Sequence, residues 1–132
     1  MGERQLRRFL ALSAVAYGVG AALFAARPDG TARDLGLVGG SPPEPARLWN
    51  ALSVAYMATI ATTAAVAARD PLRHAGALPV LVAAKVTSSA MLADQYRRTG
   101  SRGYLVGVAT DLPLAVATAA LYWRARRERS RR

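Results

Sequence analysis

Cysteine is absent from this chain of 132 residues, and histidine occurs once, as His74. Without cysteine the protein cannot form disulfides, use a thiolate nucleophile or bind a metal through sulfur. A single histidine also excludes a histidine-rich metal site, and His74 has no partner ligand in the sequence. We therefore expect neither a metal nor a cofactor.

Acidic residues are also scarce: 8 stand against 18 basic residues, which gives a net charge of +10. Such an excess can indicate nucleic-acid binding, but the distribution of charge argues against it. Seventeen of the basic residues are arginines that lie in the tails or at the ends of apolar runs. Arginine at these positions is typical of membrane-spanning segments, so we expect contact with lipid headgroups and no nucleic acid.

Long apolar runs are abundant, and four of them approach the roughly 20 residues that a spanning helix needs. A soluble four-helix bundle would require a charged face on every helix, which the first two runs lack. The sequence therefore predicts one domain, an all-α, integral membrane, antiparallel four-helix bundle. Its predicted spans are residues 7–26, 47–68, 77–96 and 103–123.

The first run also resembles a signal peptide, since two arginines precede it, but its length and the three following spans favour a helix that is retained. Ala14, Gly18 and Ala22 recur in it at every fourth position, which predicts close packing against another helix. Between the second and third spans, Asp70 and Pro71 predict the N-cap and first-turn proline of the third helix.

The arginine distribution also predicts orientation. Eleven arginines lie in the two tails and the loop after the second span, and six lie on the other side. Because cytoplasmic segments carry the excess of basic residues, we expect both termini in the cytoplasm. The high alanine and arginine content suits a bacterium with GC-rich DNA, which indicates a bacterial cytoplasmic membrane.

Two ionisable residues lie inside the last two spans, Lys85 and Asp111. They differ in depth by roughly 6 Å across a hairpin centred near Gly100, which a lysine stem can bridge. We therefore expect the two to pair between helices. Asp94, on the opposite face of its helix from Lys85, is instead expected to form an exposed pair with Arg97 or Arg98.

Hydroxyl-bearing residues share faces with the two charges, and lipid-facing positions would penalise them. We predict that they line a ligand pocket around Lys85 and Asp111. The predicted lining residues are Tyr17, Ser88, Ser89, Tyr104, Thr118 and Tyr122. A further pattern is the similarity of residues 11–17 (ALSAVAY) to residues 51–56 (ALSVAY), which suggests an internal repeat.

Short motifs occur along the chain, beginning with Pro28, Ala32 and Leu35-Gly36-Leu37 after the first span. The motifs in the other three spans are Leu48-Trp49 with Tyr56-Met57, Ala84-Lys85 with Ser88-Ser89, and Thr110-Asp111-Leu112-Pro113. In this pattern the chain resembles the DoxX-like group of small four-span bacterial membrane proteins. The resemblance implies a four-helix bundle and assigns no catalytic residue.

Three functions remain open at this stage. The first is a non-enzymatic protein that binds an apolar or lipid-like ligand at Lys85 and Asp111, or serves as an accessory subunit. The second is a membrane enzyme, an isoprenoid or lipid cyclase or isomerase, with Asp111 as general acid and Lys85 beside it. The third is an ion or proton path. The expected partners are membrane lipids, an apolar small molecule, and a second copy or another membrane protein.

Overall fold

A computed structural model describes residues 2–34 and 44–131, with side-chain surroundings for 2–34 and 48–131. Within these ranges the chain is all-α, with four long helices and one short one. They are α1 (Gly2–Ala26), α2 (Pro28–Asp34), α3 (Glu44–Arg69), α4 (Ala77–Thr99) and α5 (Gly103–Arg129). The segment Leu35-Gly36-Leu37, which contributes to the family resemblance, lies outside the described residues.

The four long helices form an antiparallel bundle. Helix α1 packs against α3 and α5, and α4 packs against α5 and α3, with the α3–α4 contact the smallest of the four. The ends of α1 and α5 meet, since the Gly2 N–H donates to Glu128 Oε2 at 2.8 Å. An added Cβ on Gly2 would lie 3.1 Å from the Ala125 backbone nitrogen. The start of α1 and the end of α5 therefore lie at one end of the bundle, which is called the termini end below.

All four long helices are long and apolar enough to cross a membrane. Their outer faces carry large apolar side chains, with Leu12 71% and Val80 60% exposed. A soluble bundle would not leave so many such groups in water, whereas lipid tails accommodate them. The chain is thus a multi-pass membrane protein, as its composition predicted.

The helices extend beyond the apolar runs. At the termini end, Glu3 pairs with Arg7 at 3.6 Å in α1, and Arg124 pairs with Glu128 at 3.3 Å in α5. Pairs at this spacing support helical structure in water. Consequently α1 begins at Gly2 and α5 continues to Arg129, past the apolar segments.

Helix α4, which corresponds to the third predicted span, begins later than its predicted N-cap. Asp70 accepts a hydrogen bond from the Arg73 N–H at 3.0 Å, which holds the pKa of Asp70 below its usual range. This bond begins a series of turns over residues 71–76, and α4 starts only at Ala77. The assignment of Asp70 and Pro71 to the start of this helix was wrong. Pro79 is the first-turn proline, and deeper in a helix its missing N–H would break the ladder.

Small residues allow close packing at places other than those predicted. An added Cβ on Gly20 would lie 3.3 Å from Met57 Sδ, and one on Gly107 would lie 2.5 Å from Leu92 Cδ1. Nothing lies within 4 Å of the same point on Gly18, and Ala22 is exposed. The predicted stripe is therefore wrong at Gly18 and Ala22, because α1 turns a neighbouring face, with Ala21, toward the bundle.

Candidate functional site

Each of the four long helices contributes one side chain to the middle of the bundle. Tyr17 comes from α1, Tyr56 from α3, Lys85 from α4 and Asp111 from α5. These four residues are called the polar cluster below. Tyr17 reaches both Asp111 and Lys85. The cluster therefore also joins α1 to α4, which lie diagonally across the bundle.

The two charged residues pair as predicted. Lys85 Nζ donates to Asp111 Oδ1 at 3.1 Å, and the residues are only 4% and 6% exposed. Removing either charge from water is costly, and only a close opposite charge with further hydrogen bonds offsets that cost. The pair therefore requires α4 and α5 to hold one particular register and rotation.

Tyr17 completes the surroundings of this pair in two ways. Its hydroxyl donates to the same Asp111 Oδ1 at 2.5 Å. The centre of its ring lies 3.5 Å from Lys85 Nζ, so the negative ring face contacts the cation. Tyr17 was predicted to line a pocket, and the structure places it in direct contact with both charged groups.

Tyr56 belongs to the cluster although the sequence prediction did not include it. Its ring centre lies 5.1 Å from Lys85 Nζ, and its hydroxyl donates to the Ala84 carbonyl at 2.7 Å, joining α3 to α4. The similarity of residues 11–17 to residues 51–56 could have identified Tyr56 from the sequence. Both segments end in a tyrosine, and both tyrosines face the same lysine.

Ser89 extends the site by one helical turn from Lys85. It is 6% exposed, and its hydroxyl oxygen has no hydrogen-bond partner within the described residues. A buried hydroxyl without a partner is unfavourable and unusual. Ser88 is half-buried and lies near the Tyr56 hydroxyl. The structure thus brings both predicted serines close to the polar cluster.

The other three predicted lining residues lie away from the cluster along α5. Tyr104, Thr118 and Tyr122 are seven to eleven positions from Asp111, or roughly 10–16 Å along the axis. Thr118 is buried, but its hydroxyl donates to the Leu114 carbonyl at 2.7 Å. Tyr122 packs against the apolar core and the Trp123 ring. The structure does not group these residues with the two charges.

The two halves of the bundle differ in packing. Between the cluster and the termini, large side chains such as Leu6, Leu10 and Leu78 are completely or almost completely buried. In the other half, the buried residues that the structure describes are small, namely Ala21, Ser89 and Gly103. The core is therefore built from larger side chains on the termini side of the polar cluster than on the side that contains the α4–α5 turn.

Among the residues that the structure describes, Lys85 and Asp111 are the only buried charged residues. Asp94 Oδ2 pairs with Arg98 Nε at 2.7 Å on an exposed face, which confirms the predicted local ion pair. Across residues 2–34 and 44–131, no three histidine or carboxylate side chains group as metal ligands.

No family model, curated protein or solved structure matches this chain. The resemblance to DoxX-like proteins therefore stays a prediction, and functional inference rests on the polar cluster.

Proposed function

We propose that this protein binds an apolar small molecule with one polar group at the polar cluster. The observation that carries the proposal is unused hydrogen-bonding capacity beside a buried charge pair. Both donors converge on Asp111 Oδ1, and no hydrogen bond from the described residues reaches Oδ2. One turn from Lys85, the buried Ser89 hydroxyl also has no partner among these residues.

A Lys85–Asp111 pair that only held the helices together would not explain the unused hydrogen-bonding groups beside it. Buried polar groups that only fix helix register are normally satisfied by one another. Here no described residue bonds to the buried Ser89 hydroxyl, and an orphaned hydroxyl reduces stability. A ligand hydroxyl or carbonyl near Ser89 and Asp111 would satisfy it, with the rings of Tyr17 and Tyr56 as apolar walls. Isoprenoid, sterol-like and other lipid-like molecules have this chemistry.

The geometry supports the two alternative functions less well. Asp111 is arranged as a hydrogen-bond acceptor for Lys85 and Tyr17. A general acid would need to donate a proton toward the substrate instead. An ion path needs continuous polar lining, but the apolar layer of Leu6, Leu10 and Leu78 separates the cluster from the termini.

We further propose that the protein is a DoxX-like protein of a bacterial cytoplasmic membrane, with both termini in the cytoplasm. The arginine excess at the termini end supports this orientation. In this setting, lipids surround the bundle, and a second copy or another membrane protein would contact its exposed apolar faces. The accessory-subunit function would use the same site.

The test is to purify the full chain from bacterial membranes in a mild detergent and identify extracted small molecules by mass spectrometry. The informative variant is Lys85→Met with Asp111→Asn, which removes both charges together. The control is Asp94→Asn with Arg98→Met, which removes an exposed pair.

We expect wild type and control to retain the same apolar molecule and the cluster variant to lose it while remaining folded. Identical extracts from all three proteins would refute the proposal. A chemically altered product would favour the enzyme.

A further inference from the structure

A groove at the termini end of the bundle combines an apolar floor with two arginine side chains. It encloses about 490 Å³ between the turn after α3 and the last turns of α5. Its lining residues are Leu72, Ala75, Tyr122, Arg126, Arg129 and Ser130. Leu72 and Tyr122 also pack against the apolar core, so the floor continues into the membrane-spanning part of the bundle.

Some arginines of the described residues are already engaged by an acidic side chain, whereas the two arginines of the groove are not. Arg7, Arg98 and Arg124 each pair with an acidic side chain one turn away. Within the described residues, neither Arg126 nor Arg129 has an acidic partner, and no acidic residue lines the groove. Two exposed guanidinium groups at i and i+3 on one helix face provide several N–H donors for an anionic oxygen group.

The groove also lies at the correct depth for a lipid headgroup. Trp123 marks the end of the apolar part of α5, and tryptophan favours the membrane–water boundary. The Arg126 guanidinium carbon lies 5.8 Å from the centre of the Trp123 ring, which holds this side chain at the boundary. A phospholipid whose acyl chain lies on Leu72, Ala75 and Tyr122 would therefore place its phosphate beside Arg126 and Arg129.

We infer that this groove is a binding site for one anionic phospholipid, with the phosphate held by Arg126 and Arg129. The site is separate from the polar cluster and does not depend on the proposed function. General attraction of an arginine-rich surface to anionic membranes needs no groove. A specific site requires these two arginines more than others at the same end of the molecule.

The matched comparison uses two double variants of the full chain in zwitterionic detergent micelles. Arg126→Gln with Arg129→Gln changes the groove. Arg4→Gln with Arg8→Gln removes the same charge from exposed positions near the same end, on α1. Binding of phosphatidylglycerol is measured by native mass spectrometry and by titration, with phosphatidylcholine, inorganic phosphate and a single-stranded oligonucleotide as competitors. Ala75→Leu fills the floor without changing charge.

We expect saturable binding of one phosphatidylglycerol. The groove variant should weaken it about 30-fold, since each arginine near an anionic surface contributes roughly a factor of five. The α1 variant should change it less than twofold, and Ala75→Leu should weaken it although every arginine remains. Equal losses in both double variants would overturn the site. So would equal binding of phosphatidylcholine, displacement by phosphate at matched concentration, or tighter binding of the oligonucleotide through Arg126 and Arg129.

Discussion

Lys85 and Tyr17 contact each other while both bind the same oxygen of Asp111. The ammonium nitrogen lies 3.5 Å from the centre of the tyrosine ring, and the tyrosine hydroxyl lies 2.5 Å from Asp111 Oδ1. The ring therefore stabilises the cation, and the hydroxyl stabilises its counter-ion. This triangle connects α1, α4 and α5, so a change in any one member should affect the other two.

The first prediction concerns the charge pair in a double-mutant cycle. Lys85→Met and Asp111→Asn should each lower the free energy of unfolding by about 3–5 kcal/mol, because each leaves an uncompensated buried partner. The double variant should recover most of that loss. Thermal unfolding of all four proteins in one detergent measures the coupling. Strictly additive single effects would mean that the two side chains do not interact.

The pair of Asp94 and Arg98 provides the control for this cycle. Its side chains are 42% and 71% exposed, and it joins residues one turn apart in the same helix. Asp94→Asn and Arg98→Met should therefore show a coupling below about 0.5 kcal/mol. A coupling as large as that of the buried pair would show that the assay responds to charge in general.

The second prediction separates the two roles of Tyr17. Tyr17→Phe keeps the ring and removes the bond to Asp111, which should lower stability by about 1.5–3 kcal/mol. Tyr17→Leu also removes the ring face from Lys85 and should lower it by roughly 1 kcal/mol more. Tyr96→Phe is the control, since the Tyr96 side chain makes no hydrogen bond within the described residues. If Tyr17→Phe and Tyr96→Phe unfold at the same temperature, the bond to Asp111 contributes nothing.

The pairing of Lys85 with Asp111 could be predicted from the sequence because charge is rare inside the spans. Two ionisable residues at similar depth in an antiparallel hairpin have few alternatives to each other. The local pair of Asp94 with Arg98 followed from spacing alone. Only the buried pair determines which faces of α4 and α5 lie inside, because the exposed pair joins residues of one helix.

The rotation of α1 could not be predicted in the same way. In a soluble helix, polar residues mark the outer face, but lipid accepts the same apolar side chains as the core. Leu10 is buried and Leu12 is exposed, yet their chemistry is identical. For the same reason Gly18 was assigned to an interface that it does not reach, and the direct bond from Tyr17 to Asp111 was missed.

The third prediction tests which glycine lies at a helix contact. Gly107→Leu should lower stability by about 1–3 kcal/mol, because even its first added carbon would overlap Leu92. Gly18→Leu makes the same change in the middle of a helix, where nothing lies within 4 Å. It should be neutral or slightly stabilising, since glycine disfavours helix. Greater damage from Gly18→Leu would mean that this face is covered by another chain.

The fourth prediction concerns orientation, and the absence of cysteine makes it simple to test. Ser130→Cys and Arg102→Cys each introduce one thiol, at opposite ends of α5. In intact bacterial cells, a membrane-impermeant maleimide should label position 102 and not position 130, because both termini are expected inside. Labelling of both after cell lysis is the control. Labelling of position 130 alone in intact cells would reverse the proposed orientation.

The last prediction separates ligand binding from simple packing at Ser89. In protein from which lipids have been extracted, Ser89→Ala should leave stability unchanged or raise it by about 1 kcal/mol. It removes a buried hydroxyl that has no partner in the described part of the chain. In protein purified from membranes, the same variant should retain several-fold less of the apolar molecule, as a ligand hydrogen bond is lost.

Thr118→Val is the matched control for Ser89→Ala. Thr118 is equally buried, but its hydroxyl is already bonded to the Leu114 carbonyl of its own helix. Loss of the Thr118 hydroxyl should therefore leave retention of the apolar molecule unchanged. If Ser89→Ala lowers stability and leaves retention at the wild-type level, the hydroxyl only fills space beside Lys85. The buried charge pair would then serve only to hold the helices together. The unpartnered Ser89 hydroxyl is the feature that distinguishes a ligand site from such a structural pair, so its behaviour decides between them.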